Sequence, residues 1–317
     1  MLASVCIVSQ DHSLRTPSLT VRFELGEKKR KMTKDIYTVA GVQMDVQIGE
    51  VEKNLADMLH TMRHTSAATA DLVVFPECAL TGYCFETREE GWQYAQTIPG
   101  PAIEAFAKLC HEQDQYAAFG LLEKEGDKLY NSCALVGPRG LVGVYRKVHL
   151  PYLGIDRFVD AGTEGWQVYD CNGLKVGINI CYDGSFPEAS RVMSLAGADI
   201  ILLPTNWPPG ADTFAKYLPN ARALENAVYF FSVDRVGSER GFKFIGYSRL
   251  CDTNGNPVVD APHANPEVLI GQVDVRRSRS KRLVRVPGKH VIDRFADRRP
   301  ELYGAVCQPH GLVRKVD

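Results

Sequence analysis

Three apolar runs in this chain each end in a side chain able to do chemistry, and that recurring layout constrains the fold more than any other feature. Asp71-Leu72-Val73-Val74-Phe75-Pro76-Glu77 ends in a carboxyl, and Leu141-Val142-Gly143-Val144-Tyr145-Arg146-Lys147 in an amine. Leu174-Lys175-Val176-Gly177-Ile178-Asn179-Ile180 leads to the thiol of Cys181. Short buried strands that deliver polar groups at their C-terminal ends read as an α/β sheet, in which ligands bind beyond the carboxyl edge. Beyond Cys181 the chain runs through Tyr182-Asp183-Gly184-Ser185 into Phe186-Pro187-Glu188, which reads as a helix opened by proline in its first turn. A sharp strand-to-helix turn holds a thiol clear of the sheet and aims backbone N–H groups at the atom it attacks. A single cysteine is more often a buried core residue. Glu77 as a capping carboxylate and Lys147 as a solvated strand end are equally plain readings, but strands ending in Glu, Lys and Cys together make an accidental set improbable.

The remaining pattern alternates strands with helices and inserts hairpins. A first strand covers 37–44, and Val51, Leu55, Met58 and Met62 mark one face of a helix from Val51 to Ala68. Helices follow near 101–113, 187–196 and 215–227. Strands fall near 71–76, 116–122, 132–137, 141–146, 174–180, 199–203, 228–234, 243–251 and 267–274. Asn254-Gly255 is a strong hairpin signal. Residues 1–35 form an irregular extension closing in the charge run Glu27-Lys28-Lys29-Arg30-Lys31, with Met32 as an alternative start. Residues 36–290 form the main domain and 291–317 a tail. The basic stretch Arg276, Arg277, Arg279, Lys281, Arg282 and Arg285 reads as solvated rather than as a nucleic-acid surface.

Composition narrows the class. The chain has 317 residues, enough for a large core, and 37 basic against 38 acidic side chains, which gives no general attraction to nucleic acid or anionic membranes. Nine cysteines, an odd number without regular spacing, suit reduced thiols in a cytoplasm. No apolar run approaches the roughly 18–20 residues of a membrane span, and Leu2 to Val8 lacks the flanks of a secretion signal. His60 and His64 stand at metal-ligand spacing, but no third ligand lies nearby in sequence, so neither a metal nor a cofactor is expected.

The ordered motifs resemble the nitrilase superfamily, the carbon–nitrogen hydrolases. They are Phe75-Pro76-Glu77 with Leu80-Thr81-Gly82-Tyr83, Tyr145-Arg146-Lys147-Val148-His149-Leu150, and Gly177-Ile178-Asn179-Ile180-Cys181-Tyr182-Asp183 with Phe186-Pro187-Glu188. Gly197-Ala198-Asp199 to Pro204-Thr205-Asn206-Trp207, Arg222-Ala223-Leu224-Glu225-Asn226 and Gly246-Tyr247-Ser248 follow. The resemblance spans about residues 36 to 290. It implies a four-layer α-β-β-α sandwich and a catalytic triad of Glu77, Lys147 and Cys181, with Glu123 as a supporting glutamate that holds Lys147 or orients substrate. It also implies a homodimer or larger even-numbered oligomer, with the tail at a subunit contact.

The chemistry follows from the residues themselves. A free thiol with a pKa of about 8.5 is mostly protonated near neutrality, so Cys181 needs a base, and Glu77 is the candidate. Lys147 and the Tyr182 N–H would hold the oxyanion. None of the eight histidines, His149 included, carries a motif that suggests a Cys/His pair. Trp207, Tyr83, Tyr182 and Phe186 are candidate substrate contacts, and aromatic walls would suit a small or medium apolar acyl group. True nitrilases commonly carry Trp and Glu after the nucleophile, whereas Tyr182-Asp183 stands here. The expected substrate is therefore a small amide or N-carbamoyl compound, with a nitrile, or a catalytically silent binding role, left as alternatives.

Overall fold

The computed structural model describes residues 34–65, 70–309 and 311. The N-terminal charge run and Met32 lie outside them. In the first half of the chain, strands β1 (Ile36–Gln43), β2 (Leu72–Val74), β3 (Tyr116–Glu125), β4 (Lys128–Gly137) and β5 (Gly140–Arg146) accompany helices α1 (Val51–Thr65), α2 (Arg88–Tyr94) and α3 (Pro101–Gln113). The second half supplies β6 (Val168–Cys171), β7 (Leu174–Ile178), β8 (Ile200–Thr205) and β9 (Tyr229–Asp234) with helices α4 (Pro187–Leu195) and α5 (Asp212–Asn226). A small hairpin, β10 (Ser238–Glu239) and β11 (Phe242–Lys243), precedes β12 (Arg249–Cys251), β13 (Pro257–Asp260) and β14 (Glu267–Asp274). Helix α6 (Val275–Arg279) and the hairpin β15 (Arg282–Val286) and β16 (His290–Asp293) follow.

Two six-stranded sheets result, ordered β14-β1-β2-β3-β4-β5 and β13-β12-β9-β8-β7-β6. Each is parallel at its centre, β1-β2-β3 and β7-β8-β9. Side chains alternate across a strand with period two, and the core records it. Leu72 and Val74 join Val176, Ile178, Ile200 and Leu202 in one apolar cluster drawn from both sheets. Val73, between them, packs with Met58 and Met62 of α1 and Phe106 and Leu109 of α3. On the second sheet Ile201 and Leu203 face Met193 of α4 and Ala215 and Ala223 of α5. The layers therefore run helix, sheet, sheet, helix, and strands buried on both faces explain why the sequence shows continuous apolar runs.

Several expectations are corrected. The strand expected over 243–251 is split between the end of β11 at Lys243 and β12 at Arg249–Cys251, because Gly246 and Tyr247 both take positive φ, 72° and 62°, and break the extended backbone. The Asn254-Gly255 turn does join two strands, β12 and β13, with Gly255 at φ 77° and Asp252 Oδ1 accepting from the Asn254 and Asn256 N–H groups. The basic stretch after 275 is largely exposed, and Arg276, Arg277 and Arg279 also pair with carboxylates of the same chain. Arg279 donates from Nε and Nη2 to fully buried Asp199 at 3.0 and 2.7 Å, and Arg277 donates to Asp252 at 2.8 Å. Lys281 donates to the Ala227 carbonyl just past the end of α5 at 2.9 Å, where burial lowers its pKa to about 8. The boundary expected at 290 falls inside the β15–β16 hairpin.

Candidate active site

Strands β2, β3 and β5 run in one direction, because β4 reverses between β3 and β5. Residues just past β2 and β5 therefore emerge from the same sheet edge, and these are Glu77 and Lys147. Cys181 comes from the facing sheet, three residues after β7 ends, at the start of a 3₁₀ turn over Cys181–Ser185. Its φ is 44°. A non-glycine residue held there costs on the order of 1–3 kcal/mol, a strain that clusters at functional turns.

Glu77, Lys147, Asn131 and Asp156 are all buried, none more than 3% exposed. Lys147 Nζ donates to Glu77 Oε1 at 2.6 Å and to Asp156 Oδ2 at 2.5 Å. Asn131 Nδ2 bridges the same two carboxyls, donating to Glu77 Oε1 at 2.8 Å and to Asp156 Oδ1 at 2.9 Å. The Tyr83 hydroxyl donates to Asp156 Oδ2 at 2.8 Å. Glu77 Oε2 is buried and without a hydrogen-bond partner among the described residues. One cation between two carboxylates leaves the constellation short of positive charge. Burial first, and then the neighbouring Asp156 carboxylate, raises the Glu77 pKa. Burial acts to lower that of Lys147, but Asp156 and Glu77 outweigh it and hold the ammonium charged.

Cys181 is partly exposed as a residue, with its thiol set inward. Burial and then the Glu77 charge push the thiol pKa up, against the opposing pull of Lys147, the Thr205 hydroxyl and the Asn206 N–H. Burial and the neighbouring carboxylate thus favour the thiol over the thiolate at Cys181.

Glu123 does not hold Lys147. Its carboxylate accepts from Ser132 Oγ at 2.6 Å and from Arg146 Nε at 2.9 Å, not from Lys147. Strand alternation is the reason: Glu123 shares a face of β3 with Phe119 and Leu121, which pack toward the helices, and neighbouring Arg146 and Lys147 point to opposite sides. The residue that does hold Lys147 is Asp156, in the 3₁₀ turn Gly154–Arg157. An acidic residue inside the otherwise apolar Leu153-Gly154-Ile155 stretch was its only sequence signal, and Asn131 gave none.

Among the expected substrate contacts, Tyr83 is buried and its hydroxyl supports Asp156. Trp207 is 5% exposed and packs with Leu203, Ala215 and Ala223, its backbone N–H donating to Asp234 Oδ1 at 2.9 Å. Tyr182 is 40% exposed and meets the edge of Phe186 at 5.2 Å, and Phe186 stacks on His149 at 3.6 Å.

The carbon–nitrogen hydrolase family profile matches residues 38–282. The chain belongs to the carbon–nitrogen hydrolases. This hydrolase is 41% identical over 269 residues to a protein named nitrilase from Pyrococcus abyssi, covering 84% of this chain and 98% of that one. A citrullinase of Francisella tularensis is 28% identical, with 86% and 98% covered. The fold is shared with an amidase from Nesterenkonia sp., at TM-score 0.70 and 20% identity over 85% of this chain and 96% of that one. It is shared also with a carbon–nitrogen hydrolase from Helicobacter pylori G27, at TM-score 0.74 and 20% identity over 87% and 99%.

Proposed function

We propose that this hydrolase cleaves a small amide or N-carbamoyl compound through a thioester on Cys181, with Glu77 as base and acid and Lys147 as oxyanion donor. The observation that carries the reading is the buried pairing of Lys147 with Glu77 and Asp156 beside a thiol on a strained turn. Cys181 Sγ attacks the carbonyl carbon while its proton passes to Glu77. Lys147 Nζ and the Tyr182 N–H stabilise the oxyanion. Collapse of the tetrahedral intermediate breaks the C–N bond, and Glu77 returns the proton so that ammonia or an amine leaves neutral. Water then attacks the thioester, Glu77 takes its proton, and the second collapse restores the thiol and releases the acid.

Glu77 Oε2 and both side-chain amide atoms of Asn206 are buried without hydrogen-bond partners among the described residues. Buried polar groups of this kind suit a polar substrate. The nitrilase relative at 41% identity favours a second reading, hydrolysis of a nitrile, in which the thiol adds across the C≡N bond and water later expels ammonia. A screen for ammonia release over aliphatic and aromatic amides, N-carbamoyl compounds and matching nitriles separates the readings. Turnover is expected on amides or carbamoyl compounds, to survive prolonged chelation, and to be lost on alkylation of Cys181. Loss on chelation with recovery on adding zinc would refute the mechanism.

Among the described residues no helix is long and apolar enough to cross a membrane, and Cys78, Cys84, Cys110, Cys133, Cys171, Cys181, Cys251 and Cys307 are free thiols. The free thiols support a cytoplasmic setting. We assign a homodimer or larger even-numbered oligomer, with α4 and the tail at the contact. Val192 and Leu195 of α4 are 44% and 46% exposed, and Leu302 and Val306 of the tail 66% and 59%. The tail also lies against α4 of its own chain, with Arg191 over the Phe295 ring at 5.3 Å. Truncation from Arg298 is expected to weaken association in sedimentation; a full-length monomer at micromolar concentration would overturn the assignment.

A further inference from the structure

We propose that Asp183 is a positioning residue that sets the separation between the nucleophile and the oxyanion-binding amine. The inference rests on the roles just given to Cys181 and Lys147. Asp183 is fully buried. Its Oδ2 accepts from the Tyr145 hydroxyl at 2.8 Å and from the Ile180 N–H at 3.1 Å. Its Oδ1 accepts from the His149 backbone N–H at 3.0 Å and meets His149 Nδ1 at 2.8 Å. A carboxylate only accepts, so it selects the tautomer with the proton on Nδ1.

The sequence positions give this cluster its meaning. Tyr145 and His149 lie two residues before and two residues after Lys147. Ile180 immediately precedes Cys181, and Asp183 lies two residues beyond it. One carboxylate therefore ties both flanks of the amine, which belongs to the first sheet, to the turn that holds the thiol, which belongs to the second. The two sheets otherwise meet here across apolar side chains such as Val176, Ile178 and Leu135. Apolar contact is non-directional and tolerates small slides of one layer over the other. Four directed hydrogen bonds to one buried charge do not. A buried carboxylate also needs its hydrogen bonds filled, so the bonds form as a set.

Asparagine keeps the shape of Asp183 but presents one acceptor oxygen instead of two. With that oxygen on His149, the amide nitrogen faces the Ile180 N–H, a donor against a donor, and the turn loses its anchor. A misplacement of about 1 Å at a reacting centre costs about 10²-fold in rate. Asp183→Asn is expected to lower kcat on the best substrate of the screen by about that factor with KM little changed. Alkylation of Cys181 by iodoacetamide should fall far less than turnover, since that displacement develops no oxyanion and needs only that the thiol proton be taken. Tyr145→Phe, which removes one bond and keeps the ring, should lower kcat by roughly 10-fold. The double variant should cost no more than Asp183→Asn alone, because both act through one link.

Wild-type kcat in Asp183→Asn, parallel loss of turnover and alkylation, or multiplying effects in the double variant would each overturn the inference. Tyr145→Phe carries the test by the same kcat and alkylation readouts if Asp183→Asn does not fold. Wild-type turnover by Cys181→Ala would instead refute the nucleophile assignment on which the inference stands.

Discussion

Cys181→Ala is expected to abolish turnover, and Glu77→Gln to leave an enzyme that, where it acylates at all, accumulates the acyl form. The two differ because in the proposed mechanism Cys181 forms the bond that is later broken, while Glu77 moves a proton in every step. Without the sulfur no adduct exists, although Glu77, Lys147 and Asp156 remain to line the site. With glutamine at 77 the thiol, still held protonated by burial, loses the group that takes its proton. An activated ester, whose leaving group needs no proton, bypasses part of that handicap and loads the thiol. Water attack on the thioester still needs the base, so the adduct persists. Intact mass after mixing with an activated ester reads both variants: no added mass on the alanine variant, a stable acyl mass on the glutamine variant. Wild-type turnover by Cys181→Ala would remove the assignment whatever the substrate.

The second large effect is expected from Lys147→Met. Removing one partner of a buried ion pair costs about 3–5 kcal/mol, because the remaining charge has neither water nor counterion. Here two carboxyls are left, Glu77 and Asp156, bridged only by Asn131 Nδ2. Loss of an oxyanion donor adds a factor of about 10²–10³ in the acylation rate. The pH dependence has a defined sign. In the variant, burial and the neighbouring Asp156 carboxylate hold the Glu77 pKa above its unfolded value, so the folded state binds more protons and gains stability as pH falls. The deficit against wild type should shrink between pH 8 and pH 5. In the wild type the raised pKa of Lys147 acts at the other end of the scale. Its contribution is complete below the ordinary lysine pKa and is lost as pH rises through the folded value. Denaturant midpoints across the pH range test both statements; a variant as stable as wild type at pH 8 would show that the ion pair carries no net stabilisation.

The parts of the site that read directly from sequence are those carried by strand ends. Glu77, Lys147 and Cys181 each follow an apolar run, and a strand buried on both faces announces itself locally without any knowledge of its partners. The strand-to-helix turn after Cys181 was legible for the same reason, since Pro187 marks the helix start that the structure shows. Turn chemistry was legible at Asn254-Gly255, where φ above zero is a demand on single residues. Glu123 was misplaced because both faces of β3 are apolar, so the sequence carries no parity signal to say which side a late glutamate faces.

What the chain order determined by itself was therefore the alternating strands and helices, the edge at which reactive groups emerge, and the three residue types delivered there. Tertiary structure alone decided which groups surround them. Asp156 and Asn131 reach Lys147 and Glu77 from a 3₁₀ turn and a neighbouring strand, the basic stretch after 275 finds Asp199 and Asp252, and Asp183 gathers Tyr145, His149 and Ile180. Local pattern is set by steric propensity and burial period, which act over a few residues. Hydrogen-bond and ion-pair partners are set by which strands lie side by side and which face each side chain takes. In this fold that choice is made between segments as far apart as Glu77 and Lys147, separated by 70 positions.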